Sequence, residues 1–156
     1  MKVTFLVGSL LGLVSLSLFA AEPPDFSGTW EFNAEKSKNV GMMSQMKMTA
    51  TVQQTATAVD ITTHSNFMGK DSEGKTHFDL TGAPTTNDAP MGGPNETISK
   101  WDGNKLVTTW KGQSAVAGQT VVRTETRSVT ADGREMIVES VRGSTPALVM
   151  VYEKKS

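Results

Sequence analysis

The chain has 156 residues, with 15 Lys and Arg against 16 Asp and Glu, a net charge of −1, two histidines and no cysteine. So balanced a charge gives no electrostatic reason to expect nucleic acid or an acidic surface as partner. Without cysteine there is no disulfide, thiolate metal site or cysteine nucleophile, and stability has to come from packing and sheet closure.

Residues 1–21, MKVTFLVGSLLGLVSLSLFAA, carry one lysine, then an apolar run broken only by Gly, Ser and Thr, then small residues. That is the pattern of a secretory signal peptide, cleaved after Ala20 or Ala21. A single membrane anchor is the rival reading, because a span needs about 20 apolar residues. No cluster of Lys or Arg follows to stop transfer, whereas Glu22-Pro23-Pro24 suits cleavage. The expected product is residues 22–156, exported to the periplasm or secreted, with no stable membrane anchor after cleavage. Its length fits one domain with a real core.

The elements that follow are nearly all strand-like. Phe26-Ser-Gly-Thr-Trp-Glu-Phe alternates large apolar with small or polar residues. Residues 34–47 read as a short helix or loop. Met48–Gln54 and Ala58–Thr63 form a pair with a short link, and His77–Thr81 is a further short run. Residues 82–94 read as a long turn-rich loop. Glu96–Trp101 ends in Asp102-Gly103, Lys105–Trp110 in Lys111-Gly112, and Thr120–Thr130 in Asp132-Gly133. Glu135–Val141 and Leu148–Glu153 complete the chain. Asp-Gly supplies the positive φ that tight hairpins demand, so sequential runs should pair antiparallel. The expectation is an all-β, antiparallel up-and-down barrel of 8–10 strands, since closure removes exposed edges. A two-sheet sandwich is the alternative, because periodicity does not distinguish them.

Alternation puts Phe26, Gly28, Trp30 and Phe32 on one face of the first strand. Gly28 beside a large indole allows close approach by another strand, and Trp30 reads as a plug for a closed barrel end. The interior should be lined by the face carrying Leu148, Met150 and Tyr152, with Trp110, Met136 and Val138 as additions. Such a lining suits a small hydrophobic or amphipathic partner. The same barrel can instead be filled by its own side chains, which a cavity below about 300 Å³ would indicate.

Phe26-Ser-Gly-Thr-Trp resembles the first-strand Gly-x-Trp signature of the calycins, the lipocalins and fatty-acid-binding proteins. Lys100-Trp-Asp-Gly and the closing Val151-Tyr-Glu-Lys are similar to fatty-acid-binding proteins. The opening Asp25–Asn33, with Lys36-Ser37 soon after, is similar to exported bacterial lipocalin-like proteins. The resemblance implies a lipocalin-like barrel and a carboxylate held by an Arg-x-Tyr on the last strand with an earlier arginine. Here the last-strand triplet is Met150-Val151-Tyr152, so the tyrosine is present and the arginine is replaced. Arg123 or Arg127 stands for the earlier arginine. Read from the residues alone, Arg123, Glu125 and Arg127 form a solvated charge ladder. The resemblance also makes Lys154 the basic residue that packs across the tryptophan, and shortens the family's helical lid to residues 34–47.

A different chemistry is offered by Met43, Met46 and Met48, soft thioethers that select Cu(I), with His64 or His77 adding nitrogen. Their bland reading is a lid over the barrel mouth. Two histidines in all argue against a zinc site, and no cofactor is expected. His77 and Asp79 share a strand face, but no nucleophile elbow or fixed base accompanies them, so an enzyme is not expected.

Overall fold

Ten antiparallel strands follow one another in a computed structural model that describes residues 22–89, 93–114 and 116–156. They are β1 (Gly28–Lys38), β2 (Lys47–Gln54), β3 (Ala58–Phe67), β4 (Lys70–Asp79) and β5 (Thr85–Asp88). The second half adds β6 (Pro94–Asp102), β7 (Lys105–Gln113), β8 (Thr120–Val129), β9 (Glu135–Arg142) and β10 (Leu148–Lys154). The expected signal peptide lies outside the described residues.

Each strand pairs with its neighbours in sequence, and β1 pairs with β10, giving the order β4-β3-β2-β1-β10-β9-β8-β7-β6-β5. The sheet thus curls into a nearly closed barrel whose only unpaired edges are β4 and β5 among the described strands. Those edges meet through side chains. Asn87 on β5 accepts from the His77 N–H at 2.8 Å and donates to the His77 carbonyl at 2.8 Å. Thr85 donates to the same carbonyl. One amide side chain here does what a ladder of backbone bonds does elsewhere.

Gly103 and Gly133 take φ of +59° and +70°, as the Asp-Gly turns require. Two expectations need correction and one is sharpened. The short helix or loop expected over residues 34–47 is a single 3-10 turn, Gly41–Gln45, and β1 runs on to Lys38 before it. Within that run, β1 bulges between Asn33 and Lys38. Ser37 closes the bulge by donating to the Asn33 carbonyl and accepting from the Val151 N–H. The stretch 82–94 contains β5, too short and polar to show alternation, and fixed by pairing with β6. Lys111-Gly112 does not end its strand but lies inside β7, where a Cβ on Gly112 would fall 2.1 Å from the Asn95 side-chain oxygen.

The core is one continuous cluster of side chains turned to the inside of the sheet. Trp30, Phe26, Val52, Val59, Phe78, Leu106, Met136 and Val138 are almost wholly buried. Phe26 stacks on Trp101 with ring centres 5.7 Å apart, and Trp30 Nε1 donates to the Phe26 carbonyl at 2.8 Å. Burying aromatic and aliphatic side chains of this size stabilises by roughly 1.5–3 kcal/mol each before entropy is counted. Gly28 takes φ +130°, and a Cβ there would sit 3.0 Å from Lys154 Cε. The glycine thereby leaves room for the lysine stem, whose Nζ stands 5.2 Å from the Trp30 ring centre.

Candidate functional site

Register decides which side chains share the interior. Leu106, Thr108 and Trp110 on β7 face Arg127, Glu125 and Arg123 on β8. Arg127 in turn faces Val138, which faces Met150, while Tyr152 lies between Met136 and Phe32. The period of 2 therefore carries the β8 charges to the same side as the apolar faces of β7, β9 and β10.

This overturns the solvated ladder. Glu125 and Arg127 are buried, at 7% and 8% exposure, and the Arg123 side chain is only 25% exposed. The pattern Arg-x-Glu-x-Arg looks the same on either face, so the alternation alone could not reveal it. What turns it inward is pairing with Leu106, Thr108 and Trp110, three positions of a strand with an apolar face.

Inside, the charges form a continuous stack with aromatic rings. Arg123 lies over Trp110, 4.4 Å from Cζ to ring centre. Trp110 meets Phe78 edge-on at 5.8 Å, and Arg127 stands 5.4 Å above the same Phe78 ring. Flat guanidinium groups over rings are favourable and lose little on desolvation. Glu125 ties the two cations: its Oε1 accepts from Arg127 Nη2 at 3.0 Å, and its Oε2 lies 4.0 Å from Arg123 Nη2. Burial pulls the Arg123 pKa down, against the opposing pull of Glu125. The Tyr152 phenol is pushed up to about 12, chiefly by burial, so it stays a neutral donor. Its hydroxyl contacts Met150 Sδ at 3.7 Å.

Three buried donors here make no hydrogen bond to any described residue: Arg127 Nε, Arg127 Nη1 and Trp110 Nε1. Buried polar groups nearly always find a partner, and leaving one unmet costs about 1–3 kcal/mol. All three are donors, so what satisfies them must bring lone pairs.

The residues expected to line a ligand are thus divided. Trp110, Arg123, Arg127, Met150 and Tyr152 come together on the inner face with Met136 and Val138, while Leu148 lies farther along β10, opposite Ser140 and half-buried. Gly28, Trp30 and Lys154 lie together, the lysine stem passing beside Gly28 to the wholly buried Trp30 ring. Sequence reasoning missed Phe78, which joins Trp110 to Arg127, and the role of Glu125. The signal for Phe78 was an aromatic alone in a polar strand.

The methionines and histidines do not converge. Met43 and Met46 pack on the core beside buried Met48. His64 pairs with Glu73 and His77 with Asp60, both exposed on the outer face. Among the described residues no three His, Asp or Glu side chains gather as a metal-ligand group. Two grooves, of about 580 and 430 Å³, run mainly along outward-facing residues of β1 and β10 and of β2 to β4, and neither is lined by Arg127 or Trp110.

No family profile matches the chain. No curated protein matches it either. Solved structures do share its fold. The REP1-NXSQ fatty acid transporter is 18% identical, with 83% of this chain and 96% of that one covered and a TM-score of 0.64. Fatty-acid-binding protein 1 of Echinococcus granulosus is 18% identical, with 84% and 98% covered and a TM-score of 0.64. The fatty-acid-binding protein of Drosophila melanogaster brain is 24% identical, with 83% and 99% covered and a TM-score of 0.60. These three lend no support to the exported bacterial lipocalin-like resemblance. This chain shares the fold of these three proteins, an antiparallel barrel that here has ten strands.

Proposed function

We propose that this chain is a binding protein for a small apolar or amphipathic molecule, held inside the barrel without a covalent step. The observation that carries the reading is the trio of unmet buried donors, Trp110 Nε1 with Arg127 Nε and Nη1, in an interior otherwise lined by Phe78, Met136, Val138 and Met150. Such a site has an apolar wall for a chain or ring and a polar end that fixes orientation. Two of the similar structures are named as fatty-acid-binding proteins and the third as a fatty acid transporter, which supports a carrier at the level of a common barrel.

Native mass spectrometry of the protein purified from its own host, followed by organic extraction, tests this. The expected result is a co-purifying lipid or pigment that is lost in Met150→Lys. An empty protein that also fails to bind a fluorescent fatty-acid probe would sink the reading. The second reading would then stand, a barrel filled by its own side chains and serving as an interaction module. It is favoured by one observation: the inward-facing Phe78, Leu106, Trp110, Met136 and Val138 are all buried and packed in one continuous cluster.

The proposal includes export to the periplasm or beyond, supported by the composition of residues 1–21. Amino-terminal sequencing of the host protein should begin at Ala21 or Glu22. A chain that keeps Met1 would rule export by this leader out.

A further inference from the structure

We propose that the polar end of the bound molecule is an uncharged hydrogen-bond acceptor, such as an ester, amide or ketone oxygen, and not a carboxylate. The inference rests on the reading that the barrel holds a ligand, and it concerns the chemistry of that ligand's head.

Charge disfavours a second anion here. Arg127 already has a buried anionic partner in Glu125, 3.0 Å away and 7% exposed. An ionised ligand head brought to Arg127 would stand beside that carboxylate in a dry interior, where like charges strongly disfavour each other. Arg123 adds a positive charge, but its side chain is 25% exposed and lies within 4.0 Å of the other Glu125 oxygen. Water screens it, and Glu125 shares it.

The geometry of Arg127 agrees with this. A guanidinium offers a carboxylate two forks, Nε with Nη2 and Nη1 with Nη2. Glu125 takes one N–H of Nη2, the nitrogen common to both, and so closes one of the two forks. The two Arg127 nitrogens without a partner, Nε and Nη1, do not form a fork with each other. They ask for single acceptor atoms, as the Trp110 indole does.

Tyr152 points the same way. Among the described residues its hydroxyl donates only to the thioether of Met150, a weak acceptor. A carbonyl oxygen between these groups would be offered several donors and no fresh negative charge.

The test is displacement of Nile red, an uncharged probe, by four molecules sharing one sixteen-carbon chain: the ionised acid, the methyl ester, the primary amide and the alcohol. The ester and amide should displace the probe at concentrations at least about tenfold lower than the acid, equivalent to ~1.4 kcal/mol. Glu125→Gln should shrink or invert that ratio, because it removes the resident anion while keeping an acceptor beside Arg127. A tightest-binding acid in the unaltered protein overturns the inference even if the variant fails to fold. So does a ratio unmoved in a folded E125Q protein. If none of the four displaces Nile red, the carrier reading itself fails, and the inference with it.

Discussion

Asn87 holds both main-chain groups of His77, accepting from its N–H and donating to its carbonyl, each at 2.8 Å. This is the seam of the barrel, where β4 and β5 form no backbone ladder. Asn87 is 5% exposed and donates as well to Thr97 Oγ1. Asn87→Ala leaves buried polar groups without partners, so urea unfolding should show a loss of about 1–3 kcal/mol. The more specific readout is hydrogen exchange at the His77 amide, which should rise well beyond that of its β4 neighbours. An unchanged rate there would mean that the seam is held by something else.

Gly28 sets backbone strain against crowding by Lys154. At φ +130° a side chain is strained whatever space surrounds it, so Gly28→Ala should cost about 1–3 kcal/mol. The nearest obstacle, Lys154 Cε, is the movable part of a long side chain. Shortening it with Lys154→Ala should therefore fail to restore the stability of the G28A protein. Full restoration, measured by thermal melts of the single and double variants, would show that crowding and not backbone strain is the cause.

The Arg127–Glu125 pair should behave as a unit. Arg127→Met strands a buried carboxylate and should destabilise by about 3–5 kcal/mol, the range for breaking a buried ion pair from one side. Removing both charges, with Glu125→Gln added, should cost clearly less than the sum of the single changes. Additive losses in denaturant titrations would place the two side chains in water, against their burial.

Tyr152 gives a pH signature at the alkaline end. Its ordinary pKa of 10.0 is pushed up to about 12 in the folded chain, first by burial and further by Glu125, with Arg127 opposing. The folded state thus holds the phenolic proton more tightly than the unfolded one. Its contribution is fully present below the unfolded value and fades as pH climbs toward the folded one, at ~1.4 kcal/mol per tenfold change in proton affinity. Stability should fall between these two values more steeply in the unaltered protein than in Tyr152→Phe. Parallel curves would mean that other groups govern alkaline unfolding.

How much of this was legible in residues taken one after another depends on the range of the interaction. Asp102-Gly103 and Asp132-Gly133 mark hairpins because positive φ is a local demand. Gly28 and Trp30 mark the first strand of a barrel because two-residue alternation puts them on one face. The solvated reading of Arg123, Glu125 and Arg127 failed because alternation defines faces without saying which is inside. Lys111-Gly112 misled for a related reason: a glycine in a strand can make room for a partner, here Asn95, as readily as it can end the strand. β5 was missed because four polar residues have too little pattern of their own.

Local geometry and side-chain period thus settle the all-β class and the antiparallel hairpin order. Only the tertiary structure decided that β4 and β5 meet through Asn87 and that Glu125 neutralises Arg127 between aromatic rings. The same is true of the unmet donors facing the barrel interior. Each of these joins residues from different strands, and barrel closure and cross-strand register set their distances.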